Sequence, residues 1–467
     1  MTFKIFQHYW QLPLALLAFL EAALLFLAPY AAHLLDVGVL AVPEANWNQS
    51  LLQQAAIFLG VTFVAMVAMG LHSSRQRSRV FGRLARIALG VVSGVLALAA
   101  VDVLFSQLAV RPITLATIAV FAIVTSALIR FLFDRVLDEE VFKRKILVYG
   151  AGKRAGSIAQ LRRRADRRGF HIIGYVRADG DDVSIVEKDR ILGAGDSLPF
   201  LCRQHGIDEI VVAMDDRRRS FPTDQLLECR LDGVEVCDLA TFFERETGKV
   251  RLDVLNPSWI IFSVGFRRGR VNGILERLFD ILASIVLLAV ALPFMLTAII
   301  AIKIEDGWRA SVLYRQIRVG QYGRTFAVLK LRSMREDAER DGQAKWAVQN
   351  DSRVTRVGAF IRQTRIDELP QIINVLRGEM SFVGPRPERP QFVEQLNERI
   401  PYYRERHTVK PGITGWAQLC YPYGASDKDA IEKLQYDLYY VKNHSLIFYL
   451  AILVQTVEVI IWGKGAR

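Results

Sequence analysis

The sequence Ile281-Leu-Ala-Ser-Ile-Val-Leu-Leu-Ala-Val-Ala-Leu-Pro293-Phe-Met-Leu-Thr-Ala-Ile-Ile-Ala-Ile302 contains no charged side chain. As a helix rising ~1.5 Å per residue, it is long enough to cross the ~30 Å hydrocarbon core of a bilayer. Basic residues flank both ends, however, and a complete crossing would leave one basic cluster on the outer side. Because Pro293 removes a backbone hydrogen bond, the sequence predicts a re-entrant helix over residues 274–304, broken at Pro293. A full crossing is the alternative.

Four further apolar runs fill the N-terminal part of the chain, at about Leu12–Leu35, Leu51–Leu71, Ile87–Ala109 and Ile113–Ile129. Arginines cluster after the second run and basic residues follow the fourth, so both ends of the segment are expected in the cytoplasm. Residues 1–138 are therefore predicted to form a four-helix transmembrane bundle. His33 and Asp102 lie in or near these apolar runs. They are better explained as packed or interfacial side chains than as members of a proton relay.

The composition of the whole chain agrees with a membrane protein that has several domains. Of 467 residues, 52% are hydrophobic and 23% are charged, and the formal net charge is +12. This excludes a small disulfide scaffold, a disordered chain and a simple soluble enzyme. The four cysteines show no metal-binding spacing. Anionic lipids and phosphate substrates explain the basic charge better than nucleic acid does.

Between these apolar segments the pattern changes to strands alternating with helices. Short apolar runs at Lys145–Tyr149, His171–Val176, Ile207–Met214 and Gly233–Val236 are separated by helical stretches. Such alternation is typical of a doubly wound parallel sheet. We therefore predict a Rossmann-like α/β domain over residues 143–250.

The turn after the first of these strands reads Gly150-Ala-Gly152-Lys-Arg-Ala-Gly156. In a dinucleotide fingerprint, such glycines let the backbone approach a pyrophosphate. Here the third glycine is displaced to Gly156, and the second strand ends in Tyr175-Val-Arg177 without an acidic ribose ligand. Gly150, Gly152 and Gly156 are thus a weak cofactor site in a domain that we expect to be degenerate. An oxidoreductase or epimerase centred on this turn is the alternative.

The C-terminal part contains two candidate groups of functional side chains. Lys330 and Arg332 share one face of a strand that follows a glycine hairpin turn, where they either bind phosphate or face solvent. Further on, Asp367 and Glu368 precede Leu369-Pro370 and an apolar helical stripe. Thr364 and Asp367 are spaced as in a capping box, so the acidic pair either begins a helix or carries chemistry at its positive end.

Four strings follow one another in this part: KLRSM from Lys330, DELPQ from Asp367, NVLRGEMSFVGPRP from Asn374 and PGITGWAQ from Pro411. Together they resemble the bacterial sugar transferase family of monotopic polyprenyl phosphate phosphoglycosyl transferases. The resemblance covers Arg277 to Arg467, and we assign residues 268–467 to this catalytic domain. The complete layout resembles the large family members that prime exopolysaccharide or O-antigen synthesis.

The resemblance implies a two-step reaction. Asp367 would attack the β-phosphate of a UDP-sugar, release UMP and carry a covalent phosphosugar, which undecaprenyl phosphate would then accept. Asp367 and Glu368 would also bind Mg²⁺, with Glu368 helping to place the ion. Arg362 and Arg386 match phosphate-contacting arginines of the family, and Lys330 and Arg332 fit the same basic pocket.

The resemblance also implies a bacterial inner-membrane protein whose catalytic domain faces the cytoplasm. Its partners would be a UDP-sugar, undecaprenyl phosphate, membrane lipids and downstream glycosyltransferases; a homodimer is left open. After Gln418 the chain departs from a common family string and reads Leu419-Cys-Tyr-Pro-Tyr423, where Tyr423 either stacks on a base or packs in a loop. The residues do not choose the sugar, although family habit favours glucose or galactose. A non-enzymatic export scaffold is a further alternative, but such a protein has no need for the acidic pair.

Overall fold

The computed structural model describes residues 2–5, 8–36, 47–68, 71, 80–105, 111–137, 143–159, 161, 169–179, 181, 185–193, 195–216, 221–255, 257–263, 265–266, 269–335, 353–421 and 426–461. The chain divides into two compact units, residues 1–247 and 248–467. Tyr423 and the limits 1, 138, 268 and 467 of the predicted domains lie outside the described residues.

The first unit begins with a short hairpin, β1 (Thr2–Ile5) and β2 (His8–Gln11), and continues with four helices. These are α1 (Leu12–Asp36), α2 (Trp47–Ala68), α3 (Val80–Phe105) and α4 (Pro112–Leu137). Helix α1 packs against α2 and α4, and α3 packs against the same two helices. Of the four, α1, α3 and α4 are long and apolar enough to cross a membrane, whereas the apolar part of α2 is shorter.

Polar groups inside this bundle are paired with one another. Glu21 on α1 is fully buried and forms an ion pair with Arg130 on α4, whose Nη1 also donates to the carbonyl oxygen of Leu71 at 2.6 Å. His33 Nε2 lies 3.1 Å from Gln54 Oε1, which agrees with the packed pair expected for His33. A buried charge requires such a partner, because removing it alone from water is costly.

A four-stranded parallel sheet completes the first unit, with the strand order β4-β3-β5-β6. Its strands are β3 (Arg144–Tyr149), β4 (Phe170–Val176), β5 (Glu209–Val212) and β6 (Glu235–Asp238). The accompanying helices are α5 (Lys153–Ala159), α6 (Leu198–His205), α7 (Thr223–Leu231) and α8 (Leu239–Thr247). The central strands are almost wholly buried, as expected for a parallel sheet covered on both faces.

The second unit carries the acidic pair. It begins with α9 (Pro257–Phe262), the long α10 (Arg270–Asp306) and the antiparallel hairpin β7 (Leu313–Val319) and β8 (Thr325–Leu331). Helices α11 (Arg356–Gln363) and α12 (Gln371–Arg377), strand β9 (Ser381–Val383) and α13 (Pro390–Arg399) follow. Strand β10 (Gly412–Thr414), which pairs in parallel with β9, and helices α14 (Trp416–Cys420), α15 (Asp427–Lys442) and α16 (Leu446–Ile461) end the unit.

The core of this unit is rich in aromatic side chains. Trp416 stacks on Tyr439 with ring centroids 6.2 Å apart, and Phe448 packs edge-on against both. The indole N–H of Trp416 donates to the carbonyl oxygen of Gly248 at 2.8 Å. This contact, together with the packing of Val250, Leu252 and Leu255 against the same core, ties the first residues of the unit to it.

Helix α10 is long and apolar enough to cross a membrane, and it is continuous through Pro293, where the sequence predicts a break. A proline inside a helix removes one hydrogen bond and kinks the axis without necessarily ending the helix. Pro293 is exposed, whereas one face of the helix is buried at Asp280, Ser284, Ala291, Met295, Ala298 and Ile302. The spacing of these positions shows that one face packs against the rest of the unit on both sides of Pro293.

The buried His407 should make the second unit sensitive to acid. Its ring packs edge-on against Tyr403, and burial together with the charges of Arg406 and Arg404 lowers the pKa of His407 to about 4. The unfolded chain, with an ordinary pKa of about 6.5, binds a proton first as the pH falls. Stability from this group is therefore complete above pH 6.5 and is lost toward pH 4, by up to about 3 kcal/mol.

We expect His407→Gln to flatten this pH dependence. The pH dependence can be measured by urea unfolding of the full chain in detergent between pH 4.5 and 8. Unfolding is monitored as the loss of protection of residues 248–467 from a protease. The same slope in the variant and the wild type would contradict the assignment to His407.

Candidate active site

The acidic pair lies in a 3-10 turn, Ile366–Glu368, between α11 and α12. The capping box expected from Thr364 is wrong. Thr364 has helical backbone angles and ends α11, where its hydroxyl donates to the carbonyl oxygen of Phe360 at 2.9 Å. The residue that caps the start of α12 is Pro370, in agreement with a proline tolerated at a helix start. The two carboxylates therefore precede α12 and are placed by the turn.

Three cations converge on one oxygen of Glu368. Lys330 Nζ lies 3.3 Å from Glu368 Oε1, and guanidinium nitrogens of Arg365 and Arg386 each lie 3.6 Å from it. Burial by itself would raise the pKa of Glu368, but Lys330, Arg386 and Arg365 outweigh it and lower the pKa. Glu368 is therefore ionised and held by the cations.

Asp367 has the opposite electrostatic balance. Its side chain is largely buried, and burial together with the neighbouring Glu368 raises its pKa, against the opposing charges of Lys330, Arg362 and Arg365. A desolvated carboxylate is less stabilised by water than an exposed one and is better suited to attack a phosphorus atom. The two acids thus differ in environment, as two different chemical roles require.

The structure brings most of the predicted site residues together. Lys330 lies at the end of β8, Arg386 follows β9, and the charge of Arg362 on α11 acts on Asp367. Arg332 follows β8 directly, and its backbone N–H donates to the carbonyl oxygen of Val312 at 2.8 Å. Among the described residues, the ion pairs of Glu368 are made by Lys330, Arg365 and Arg386, and none of these pairs involves Arg332.

Two contributors were not predicted from the sequence. Arg365 has a left-handed backbone conformation with φ of 61°, which is uncommon for a residue with a side chain and turns the chain between α11 and the acidic pair. The fully buried Asn374 accepts a hydrogen bond from the backbone N–H of Leu329 at 3.0 Å and donates to the carbonyl oxygen of Ala327 at 2.8 Å. It thereby fixes α12 to the strand that carries Lys330. The available signal was an amide side chain flanked by the apolar residues of the helical stripe.

The acidic pair has a donor set suited to Mg²⁺. The described residues contain no group of three or more histidine, cysteine, aspartate or glutamate side chains that could hold a metal. Mg²⁺ does not need one, because it is commonly bound by one or two carboxylates with phosphate oxygens and water as the remaining ligands. Asp367 and Glu368 are adjacent carboxylates and fit such a site.

The glycine turn of the α/β domain is filled by side chains of the same domain. One carboxylate oxygen of Asp215 accepts from the backbone N–H of Lys153 and the other accepts from that of Arg154, each at 2.9 Å. Asp181 Oδ2 accepts from the backbone N–H of Ala151 at 2.7 Å. These N–H groups are those that a dinucleotide phosphate would need. Gly150, Gly152 and Gly156 were predicted as a weak cofactor site. In the structure, backbone N–H groups of this turn already donate to the carboxylates of Asp181 and Asp215.

Comparison with known proteins finds the bacterial sugar transferase family over residues 271–463. The chain is 40% identical over 242 residues to a UDP-N-acetylgalactosamine-undecaprenyl-phosphate N-acetylgalactosaminephosphotransferase of Aeromonas hydrophila, covering 52% of this chain and 56% of the relative. It is 42% identical over 189 residues to a UDP-glucose:undecaprenyl-phosphate glucose-1-phosphate transferase of Escherichia coli, covering 40% of each. For these two relatives, the chain spans only about half of the relative's length.

A further relative matches over a longer region. The chain is 33% identical over 342 residues to a UDP-glucose:undecaprenyl-phosphate glucose-1-phosphate transferase of Klebsiella pneumoniae, covering 72% of this chain and 71% of the relative. The match therefore extends well beyond the region that carries the acidic pair.

The Asp215 contacts give a reason for the glycine at position 152. A Cβ atom added to Gly152 would lie 2.0 Å from Asp215 Oδ2, whereas one added to Gly156 would lie 3.2 Å from Ile185 Cγ2. We expect Gly152→Ala to destabilise the turn by about 1–3 kcal/mol, because the carboxylate cannot move without losing its hydrogen bonds. Gly156→Ala is the matched control and should cost less.

Amide hydrogen exchange of peptides covering residues 144–159 in the full chain measures the effect. In an Asp215→Ala background the clashing atoms are absent, so Gly152→Ala should add little further exchange. Equal effects of Gly152→Ala with and without Asp215 would contradict this explanation.

Proposed function

The chain belongs to the bacterial sugar transferase family, and from this premise we propose that it transfers a sugar-1-phosphate from a UDP-sugar to undecaprenyl phosphate and releases UMP. This would be the priming step of exopolysaccharide, capsule or O-antigen synthesis, and its product would serve downstream glycosyltransferases. The observation that carries the proposal is the acidic pair, with Asp367 buried and Glu368 partly buried, beside Lys330, Arg362, Arg365 and Arg386. A diphosphate substrate requires such cations around a nucleophile.

In the first step, a carboxylate oxygen of Asp367 attacks the β-phosphorus of the UDP-sugar. A bond forms between that oxygen and phosphorus, and the bond from phosphorus to the bridging oxygen breaks. UMP leaves with the bridging oxygen and its electron pair, and the sugar phosphate remains on Asp367. The desolvation of Asp367 supports this role, while Glu368 keeps the surrounding cations in place.

In the second step, a phosphate oxygen of undecaprenyl phosphate attacks the same phosphorus atom. The bond to Asp367 breaks, the carboxylate is regenerated and a polyprenyl diphosphate sugar leaves. Covalent catalysis suits a water-soluble donor and a lipid acceptor, because the two need not be bound at once. Arg386, partly exposed at the edge of the cluster, is positioned to hold a phosphate oxygen in either step.

Asp367 and Glu368 would hold Mg²⁺ in this reaction. When bound, the ion supplies neutralisation of phosphate charge. Lys330, whose Nζ lies 3.3 Å from Glu368 Oε1, would help to orient Glu368 in this site.

We further propose that α10 is re-entrant and that the second unit faces the cytoplasm. The buried face of α10 contacts this unit from Arg277, which donates to carbonyl oxygens of Val375 and Leu376 at 2.6 Å, to Ile302, which packs beside Leu331. If α10 crossed the membrane straight, the segments packed against it, including α12 and β8, would enter the hydrocarbon core. Backbone groups that are not paired within the protein find no water there. The opposite face is apolar and exposed, as a lipid contact requires.

The Rossmann-like sheet is proposed to be a degenerate domain without a dinucleotide. Asp215 and Asp181 already occupy the donors of its glycine turn. An oxidoreductase or epimerase activity centred there is therefore not favoured.

Release of UMP from a panel of UDP-sugars, with undecaprenyl phosphate and Mg²⁺, tests the reaction. UDP-glucose, UDP-galactose and UDP-N-acetylgalactosamine belong in the panel. We expect turnover with one of them and a loss of at least about 1000-fold in Asp367→Asn, because the nucleophile is removed. Asp427→Asn, which changes an exposed aspartate that pairs with Arg399, is the matched control.

Intact-mass measurement after incubation without the lipid acceptor tests the covalent step. The wild type should gain the mass of one phosphosugar and Asp367→Asn should not. Normal turnover in Asp367→Asn would remove the covalent mechanism, and no UMP from any sugar would remove the proposed activity.

The membrane arrangement is tested by cysteine labelling at the two ends of α10. In a chain whose four native cysteines are replaced by serine, Val271→Cys and Ile304→Cys place thiols at exposed positions on either side of the apolar segment. We expect a membrane-impermeant reagent to label both in inverted vesicles and neither in right-side-out vesicles. Leu287→Cys, near the middle, should resist labelling in both. Labelling of the two ends from opposite sides would establish a crossing helix.

A further inference from the structure

The short loop that carries Arg386 is held at each of five consecutive residues. The backbone N–H of Gly384 donates to the carbonyl oxygen of Thr414, and the carbonyl oxygens of Pro385 and Glu388 accept from backbone N–H groups of Gly412 and Val319, all at 2.9–3.0 Å. The two carbonyl oxygens between them, those of Arg386 and Pro387, accept from arginine side chains instead. The loop thus has its backbone fixed on both sides of the one side chain that reaches the acidic pair.

The arginine that holds residue 386 is itself buried. Arg406 Nη2 lies 2.9 Å from the carbonyl oxygen of Arg386 and 2.9 Å from Asp437 Oδ2, so one nitrogen joins the loop to α15. Arg406 Nη1 donates to the hydroxyl of Tyr403 at 2.6 Å. Arg406 and Asp437 are 6% and 2% exposed, so this ion pair is shielded from water and tightly constrained in position.

The second arginine acts one residue later. Arg318 Nη1 donates to the carbonyl oxygen of Pro387 at 3.1 Å, and its other nitrogens bond to Gln316 Oε1 at 2.5–2.9 Å. Prolines on both sides of Arg386 restrict the backbone further, because their rings fix φ. A rotation that would carry the Arg386 guanidinium away from Glu368 through the backbone must break at least one of these bonds.

We propose that Arg406, anchored by Asp437, is a positioning residue that holds the backbone of Arg386 so that its guanidinium stays beside Glu368. This inference rests on the proposed function, in which Arg386 binds a substrate phosphate. It explains why Arg406 and Asp437, which are not among the described ion-pair partners of Glu368, are buried together behind the backbone of Arg386. A displacement of about 1 Å in a catalytic group can cost about 100-fold in rate, so the contact has a measurable consequence.

The primary test is a double-mutant cycle in the full chain. Arg406→Lys keeps the charge but loses the planar fork that reaches Arg386, Asp437 and Tyr403 together. We expect kcat/KM for the UDP-sugar to fall about 100-fold in Arg406→Lys. Arg386→Ala should be costly in the wild type and cost only a few-fold more in the Arg406→Lys background. Additive losses would overturn the inference, because a purely structural role would act independently of Arg386.

Tyr403→Phe is the matched control within the same cluster. It removes the partner of Arg406 Nη1 and leaves both contacts of Nη2, so kcat/KM should stay within a few-fold of the wild type. If the activities of the two variants fall in proportion to their loss of thermal stability, the positioning role is wrong. Should Arg406→Lys fail to fold, Asp437→Asn takes its place, since it weakens the anchor and leaves the guanidinium present.

A second measurement does not depend on turnover. Amide hydrogen exchange in peptides covering residues 380–389 should rise in Arg406→Lys and stay unchanged in Tyr403→Phe. Unchanged exchange in Arg406→Lys would overturn the inference whether or not the wild type releases UMP. Raised exchange together with a wild type that releases no UMP would support the backbone contact and reject the proposed function, so the two failures remain distinguishable.

Discussion

Two adjacent carboxylates in a largely buried turn repel each other, and burial further disfavours the ionised form of each. The structure resolves this by giving the cations unequally to the two acids. Three cations meet at one oxygen of Glu368, while Asp367 keeps a raised pKa in a drier position. The β7–β8 hairpin, the turn at Arg365 and the loop after β9 each supply one of these cations. Much of the second unit can be understood as the framework that keeps these three segments in register.

That framework consists mainly of side chains bonded to backbone groups. Asn374 bonds to the backbone on either side of Val328, close to Lys330, and Arg406 bonds to the carbonyl oxygen of Arg386. Arg277 on α10 bonds to the last carbonyl groups of α12. In each case a backbone group is held, so the charged side chain used in the site remains available. Helix α10, which is long and apolar enough to cross a membrane, is therefore also part of this framework.

The sequence predicts those parts of the fold that depend on short-range patterns. Strands β3 and β4 were expected from runs of apolar residues. Each begins one residue before the expected position and ends at the expected residue, Tyr149 or Val176. The hairpin turn between β7 and β8 was likewise expected from its glycines and is confirmed. Asp367, Glu368, Lys330 and Arg386 could be predicted as site residues because each stands in one of the recognisable strings. The structure brings these four residues together. Arg365 was missed because its contribution depends on a left-handed backbone conformation that no local pattern indicated.

Thr364 and the glycine turn show where such patterns fail. Both have the local spacing of a known motif, but a group outside that motif decides the outcome. At Thr364 it is the preceding helix, which the residue ends. At Gly152 it is Asp215, whose carboxylate bonds to the N–H groups that a phosphate would use. The hydrogen-bond acceptor at this turn is thus a carboxylate of the protein itself. A glycine-rich turn therefore indicates that some acceptor approaches the backbone closely, and it does not identify that acceptor as a nucleotide.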